Sequence, residues 1–213
     1  MTLSIENSLL SPQILIDKCI AFIENRPGLK KRNTEAKLRF LTGREFDELI
    51  DSIHKPDPGS DQWIVEVAEE LPDVLIFILQ HWLFDFRTHT EIAQLLFHAE
   101  SKASLLPIYT NAFYAGEMKK LQPDLALEQR LDDAICVQAL TICFGLSHSL
   151  GFDLYELADI KADHNDKRYQ PELYTEDCDY DASRNQTRAY AKEMLPKEIH
   201  LYPLILQIRR ERS

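Results

Sequence analysis

Residues Glu69–Leu79 read EELPDVLIFIL. The last six are uninterrupted apolar side chains, as in an element buried among others, yet two glutamates, a proline and an aspartate stand at their head. Carboxylates beside a core segment are costly unless a partner or a cation offsets their desolvation. The stretch therefore raises two questions: which element carries it, and what the acids serve.

Working outward, KPDPGS at Lys55–Ser60 is a loop, and Ser60 is placed to cap a helix that runs into the apolar stretch. Upstream, Phe46, Leu49, Ile50 and Ile53 recur at helical spacing. That helix starts either at a capping box formed by Thr42 and Glu45, or near Thr34 with Gly43 tolerated inside it. Ile14, Leu15, Cys19 and Phe22 predict a first helix, stopped by NRPG at Asn25–Gly28. Downstream, Thr90 is expected to cap a helix bearing Ile92, Leu95, Leu96 and Ala99, and Pro107 and Pro123 mark breaks. A long helical pattern runs from Asp124 to Leu150, with Gly151 placed to end it and Cys136 and Cys143 expected in the core. Asp153 and Glu156 form a capping-box pattern before LYELADIKADHNDKRY. The acidic stretch Pro171–Ser183 reads as a loop, followed by a short helix near Ile199–Arg209. Strand alternation is weak throughout. The chain is expected to be all-α, a single domain over residues 1–213.

A net charge of −11 argues against nucleic acid as a partner. The N-terminus has no basic segment before an apolar run, and no apolar stretch reaches membrane length. Four cysteines without a C-x-x-C pair suggest neither a disulfide framework nor a zinc site, so a reducing cytoplasm is the expected compartment. The histidines form neither H-E-x-x-H nor E-x-x-H, which leaves zinc-protease and di-iron readings without ligands.

Glu45 and Glu48 are three apart on one helix; Glu66, Glu70 and Asp73 fall at i, i+4 and i+7 on the next. A short loop makes the two helices antiparallel neighbours. If their acidic stripes face each other, at least four carboxylates meet, and they repel unless a cation intervenes. Oxygen donors favour magnesium or manganese over zinc. Taken alone, Glu45 and Glu48 are an ordinary solvated face. The joint pattern carries the information: E-x-x-E, 21 residues, then E-x-x-D.

REFDELID (Arg44–Asp51) followed by EELPDVLIFIL resembles the all-α nucleoside triphosphate pyrophosphohydrolases, the superfamily of MazG-like proteins and dimeric dUTPases. The resemblance implies that Glu45, Glu48, Glu70 and Asp73 hold magnesium or manganese. GFDLYELADIKADHNDKRY (Gly151–Tyr169) resembles the family's closing helix, with a G-x-D opening and then K-x-x-x-N-x-x-R-Y. It implies that Lys161, Asn165, Arg168 and Tyr169 contact the nucleotide or its phosphates, groups for which Lys, Arg and Asn are chemically suited. The implied fold is a helical bundle, here with extra inserted helices, that assembles as a homodimer. The implied reaction converts a nucleoside triphosphate and water to the monophosphate and pyrophosphate, in a nucleotide-pool or house-cleaning role, with Glu48 as the base that takes the water's proton. Two alternatives stay open: a dUTPase-like hydrolase of dUTP and dUDP, and a non-catalytic nucleotide-binding or interaction bundle.

Two departures from the pattern matter. Pro72 sits inside E-x-x-D, where the family carries a small residue; a proline within a helix costs about 3 kcal/mol or more. A kink is expected near Ala68–Pro72 in one continuous helix, with Glu70 and Asp73 kept on one side. The second departure is the long interval from Asp73 to Lys161, closer to the dimeric dUTPase plan. Within it, Asp132 and Asp133 are read as a solvent-facing turn rather than as part of the site. The basic run Lys30, Lys31, Arg32, Lys37, Arg39 and Arg44 either lends charge to a triphosphate or is a solvated helix start.

Overall fold

The stretch EELPDVLIFIL lies in the central helix of the fold, Asp61–Phe84, in a computed structural model that describes residues 10–106, 110–126 and 132–212. The helices in chain order are α1 (Leu10–Glu24), α2 (Pro27–Arg32), α3 (Glu35–Ile53), α4 (Asp61–Phe84), α5 (His89–Ser104), α6 (Asn111–Ala126), α7 (Asp133–Ser149) and α8 (Leu154–Arg168). A 3-10 turn at Pro171–Leu173 leads to α9 (Tyr180–Met194), α10 (Lys197–His200) and α11 (Tyr202–Arg212). The fold is all-α, with no strand among the described residues. No single helix among them is long and apolar enough to cross a membrane.

α4 packs against α1, α3, α7, α8 and α11. Leu71, Val74, Leu75, Ile78, Leu79 and Trp82 are all fully buried in it, which accounts for the near-continuous apolar run. The helix passes through Pro72 as one element. Ala68, whose carbonyl the proline ring crowds, is small and fully buried.

Local signals placed most helix ends. Ser60 accepts a bond from the Trp63 amide, capping α4. α3 begins at Thr34, which accepts from the Lys37 amide, so Gly43 lies inside the helix. The alternative capping box at Thr42 is not formed; its hydroxyl donates back to the Leu38 carbonyl at 2.9 Å. Asp153 caps α8, but Glu156 turns to Arg212 instead of closing the box. Gly151, at φ 84°, follows α7 as expected. Cys136 and Cys143 are fully buried.

Other expectations need correction. Thr88, not Thr90, caps α5, because Thr88 has Glu91 at the third helical position and the two satisfy each other's backbone amides. Pro123 lies inside α6 and does not break it; Pro107 falls outside the described residues. The pattern from Asp124 to Leu150 is not one helix, since Asp132 caps a new helix at Asp133. Asp132 is exposed as expected, but Asp133 is half-buried, accepting from Arg87 at 2.6 Å and from the Trp82 indole at 3.1 Å. The supposed loop at 171–183 contains the 3-10 turn and the start of α9, which Asp179 caps. The last helix is two, divided at Leu201.

NRPG stops α1 but also starts α2, with Pro27 in the first turn where its missing N–H is harmless. Gly28 is buried against the 174–178 segment, and its amide donates to the Tyr174 carbonyl at 2.9 Å. A β-carbon there would lie 2.6 Å from both the Thr175 carbonyl oxygen and the Cys178 sulfur. Gly28→Ala is therefore expected to lower the unfolding free energy by about 1–3 kcal/mol, read as a lower urea midpoint at unchanged slope.

Candidate metal and polyphosphate site

Glu45 of α3 and Glu70 and Asp73 of α4 each bring one carboxylate oxygen to within 4.8 Å of the others. The packing of α3 on α4 makes this meeting, as the joint E-x-x-E and E-x-x-D spacing anticipated. Burial, then the charges of Asp73 and Glu48, push Glu45 up to about 7 against the opposing pull of Arg44. Burial, then Asp73, push Glu70 up to about 7 as well. Three close carboxylates and no nitrogen or sulfur donor make a set suited to a hard divalent cation.

Glu48 stands outside this cluster of three. Its side chain is about half exposed and pairs with the Arg44 guanidinium at 3.1 Å, while lining the same cleft. Glu66, expected to extend the stripe of Glu70 and Asp73, is diverted to Lys55 at 3.0 Å and to Gln62 at 2.6 Å. Lys55 comes from the loop after α3, and it captures the acid nearest that end of α4.

Lys161 of α8 lines the same cleft, but it is largely buried and its ammonium is committed to acids. Its ammonium donates to Asp73 at 2.8 Å and to the carboxylate and carbonyl of Glu69 at 3.1 and 3.3 Å. Burial opposes its charge, but Asp73 and Glu69 outweigh burial and raise its pKa above the usual lysine range. Glu69 is buried between Lys161 and Lys197 and also accepts from the Tyr202 hydroxyl. Burial works against its ionisation as well, yet the two lysines hold its carboxyl below the ordinary range. Nothing local in the sequence marks Glu69, because its partners come from the distant helices α8, α10 and α11.

The cluster opens on a cleft of about 600 Å³. Lys161, Asn165, Arg168 and Tyr169 line it, as expected. Arg168 lies over the Tyr169 ring, and its buried Nε has no hydrogen-bond partner among the described residues. From the basic run, Arg32, Lys37 and Arg44 line the cleft. Two further cations that no sequence motif marks also line it: Arg184 on α9, just beyond the expected loop at 171–183, and Lys197 on α10. Carboxylates and cations lining one cleft make a site suited to an anion that brings or shares a metal. Asp132 and Asp133 take no part in the cluster. No family model, curated protein or solved structure matches the chain.

Two expectations follow from this geometry. With Glu45 and Glu70 raised from 4.5 to about 7, the metal-free fold binds more protons than the unfolded chain in between. Their contribution to stability is full below about pH 4.5 and declines as pH rises through about 7. A divalent cation replaces those protons, so its effect grows with pH. Magnesium at 100 times its Kd is expected to add about 2.7 kcal/mol, or about 5–10 °C in thermal scans of a chain this size, at pH 8 and far less at pH 5.5. The double change Glu45→Gln, Glu70→Gln should remove both the pH slope and the shift. Lys161→Ala takes the buried cation from Asp73 and leaves the buried Glu69 with Lys197 alone, and should destabilise the fold by about 3–5 kcal/mol in urea unfolding.

Proposed function

We propose that this cleft hydrolyses nucleoside triphosphates to the monophosphate and pyrophosphate with magnesium or manganese. The observation that carries the reading is the meeting of Glu45, Glu70 and Asp73 within 4.8 Å in a cleft also lined by Arg168, Arg184 and Lys37. A polyphosphate is the ligand class that requires both halves of that arrangement. The resemblance to the all-α pyrophosphohydrolases supports the nucleotide, a homodimer and a house-cleaning role.

Glu45, Glu70 and Asp73 would hold the cation, which when bound neutralises phosphate oxygens and polarises a water. The cleft cations grip the phosphates, with Arg168 and Arg184 offering two-pronged donors. Glu48, in the cleft but outside the cluster, takes the water's proton. Lys161 is a positioning residue here, not a phosphate ligand: it holds the Asp73 carboxylate in place and fixes α8 to α4.

Two further readings each have an observation behind them. The insertion of α5, α6 and α7 between α4 and α8 favours a dUTPase-like enzyme within the same class. The Lys161–Asp73 ion pair favours a bundle that binds nucleotide without turnover, since it already supplies the cluster with one cation. Pyrophosphate release, measured with and without magnesium over the common ribo- and deoxyribonucleoside triphosphates, separates these readings when dUDP is included. Metal-dependent release is expected, and Glu48→Gln should lower kcat by about 10²–10⁴-fold without changing the melting curve. Hydrolysis confined to dUTP and dUDP selects the dUTPase-like reading. Binding without release selects the non-catalytic one, and neither binding nor release overturns the assignment of the cleft.

A further inference from the structure

A second cavity, of about 230 Å³, lies beside the cleft between α1, α4 and α8. Phe22, Ile76, Gln80 and Asn165 line both, so the two adjoin across this shared wall. Its volume is below the roughly 300–1,000 Å³ of pockets that hold a whole ligand. It has room for one ring system, not for a complete nucleotide.

Its chemistry is opposite to that of the cleft. Cys19, Phe22, Ile76 and Ala162 give it apolar surface. Lys18 is committed to Asp159 at 2.5 Å and Asp163 at 2.7 Å, and Asp166 is paired with the buried Arg26 at 2.9 Å. The cavity therefore offers a phosphate no uncommitted cation and sets the carboxylates of Asp163 and Asp166 beside it. A triphosphate is steered to the cationic cleft, and the uncharged end of the same molecule is left facing the side cavity.

Gln80 supplies the specific feature. It is 7 % exposed, and its amide makes no hydrogen bond with the described residues. The Asn165 side chain, at the junction of the two spaces, makes none either. The amide lines the cavity wall without a protein partner, and its adjacent donor and acceptor match a planar edge bearing the same pair. We infer that the side cavity receives the nucleobase of the nucleotide whose phosphates occupy the cleft, with the Gln80 amide pairing to the base edge. The base lies against Phe22 and Ile76, and Asn165 sits where base and sugar pass into the cleft. Gln80 is then a specificity-determining residue. This inference rests on the polyphosphate reading of the cleft.

The test compares magnesium–tripolyphosphate, which has no base, with a panel of nucleoside triphosphates by calorimetry on the full chain. Gln80→Met is measured alongside, since it keeps length and shape while removing donor and acceptor. The wild type should bind at least one nucleotide about 10-fold or more tighter than tripolyphosphate. Gln80→Met should erase most of that margin and flatten the ranking of bases, leaving tripolyphosphate binding unchanged. If the wild type binds tripolyphosphate as tightly as every nucleotide, the base site is overturned and the cleft reading stands. If Gln80→Met leaves the margin and the ranking intact, the role of Gln80 is overturned. If neither tripolyphosphate nor any nucleotide binds, the cleft reading fails and takes this inference with it.

Discussion

The Lys161 ammonium is buried between Glu69 and Asp73, and the arrangement of the site depends on it. Withdrawing three charges from water is costly, and mutual attraction repays that cost only with good geometry and further hydrogen bonds. Here the additional partners are Lys197 and Tyr202, which bring α10 and α11 onto the same acid. The network thus joins α4, α8 and the C-terminal helices at one point. At the other end of α8, the fully buried Arg26 donates to the carbonyls of Phe22, Asp166 and Tyr169 and to the Asp166 carboxylate. One buried cation ties the middle of α8 to α4, and the other ties its end to α1. Asn165, Arg168 and Tyr169 reach the cleft from the segment between and beside these two anchors.

Adjacent residues on α4 show how strongly partners control charge. Glu69 and Glu70 are both largely buried, yet one is held below the ordinary carboxyl range and the other is pushed up to about 7. Glu69 has two lysines in contact, whereas Glu70 has Asp73 for its dominant neighbour after burial. The cluster is thus divided into a satisfied half, built into the fold, and an unsatisfied half facing the cleft. Glu45 and Glu70 are the groups that a divalent cation would relieve, and Asp73 is shared between the two halves.

The apolar spacing of α3 and α4, the Ser60 cap and the E-x-x-E and E-x-x-D pairs were readable because they depend on residues within a few turns of each other. So was the shared face of Asn165 and Arg168. The failures have a common cause. α9 is a polar helix whose buried positions are Ser183 and Thr187 rather than large apolar residues; it is held by its Asp179 cap and by contacts such as Tyr174 to Thr187 at 2.8 Å, which no short window reveals. Thr88 outcompetes Thr90 as the cap of α5 because only Thr88 has a glutamate, Glu91, three residues on. The helical spacing across Asp124–Leu150 continues through the Asp132 cap, so periodicity by itself does not mark the start of α7.

Sequence alone established the helical class, the four acids, and the two helices that bring three of those acids together, since each rests on a 3.6-residue period and a short connection. Long-range packing settled the rest. It sent Lys161 inward to Glu69 and Asp73, drew Glu48 toward Arg44 and Glu66 toward Lys55, and delivered Arg184 and Lys197 to the cleft. It also left the Gln80 amide facing a cavity between three helices. Each of these outcomes depends on which charged or polar side chain lies nearest once the helices have packed. Coulombic and hydrogen-bond partners are chosen by distance in space, and a linear pattern carries that distance only as far as its own helix.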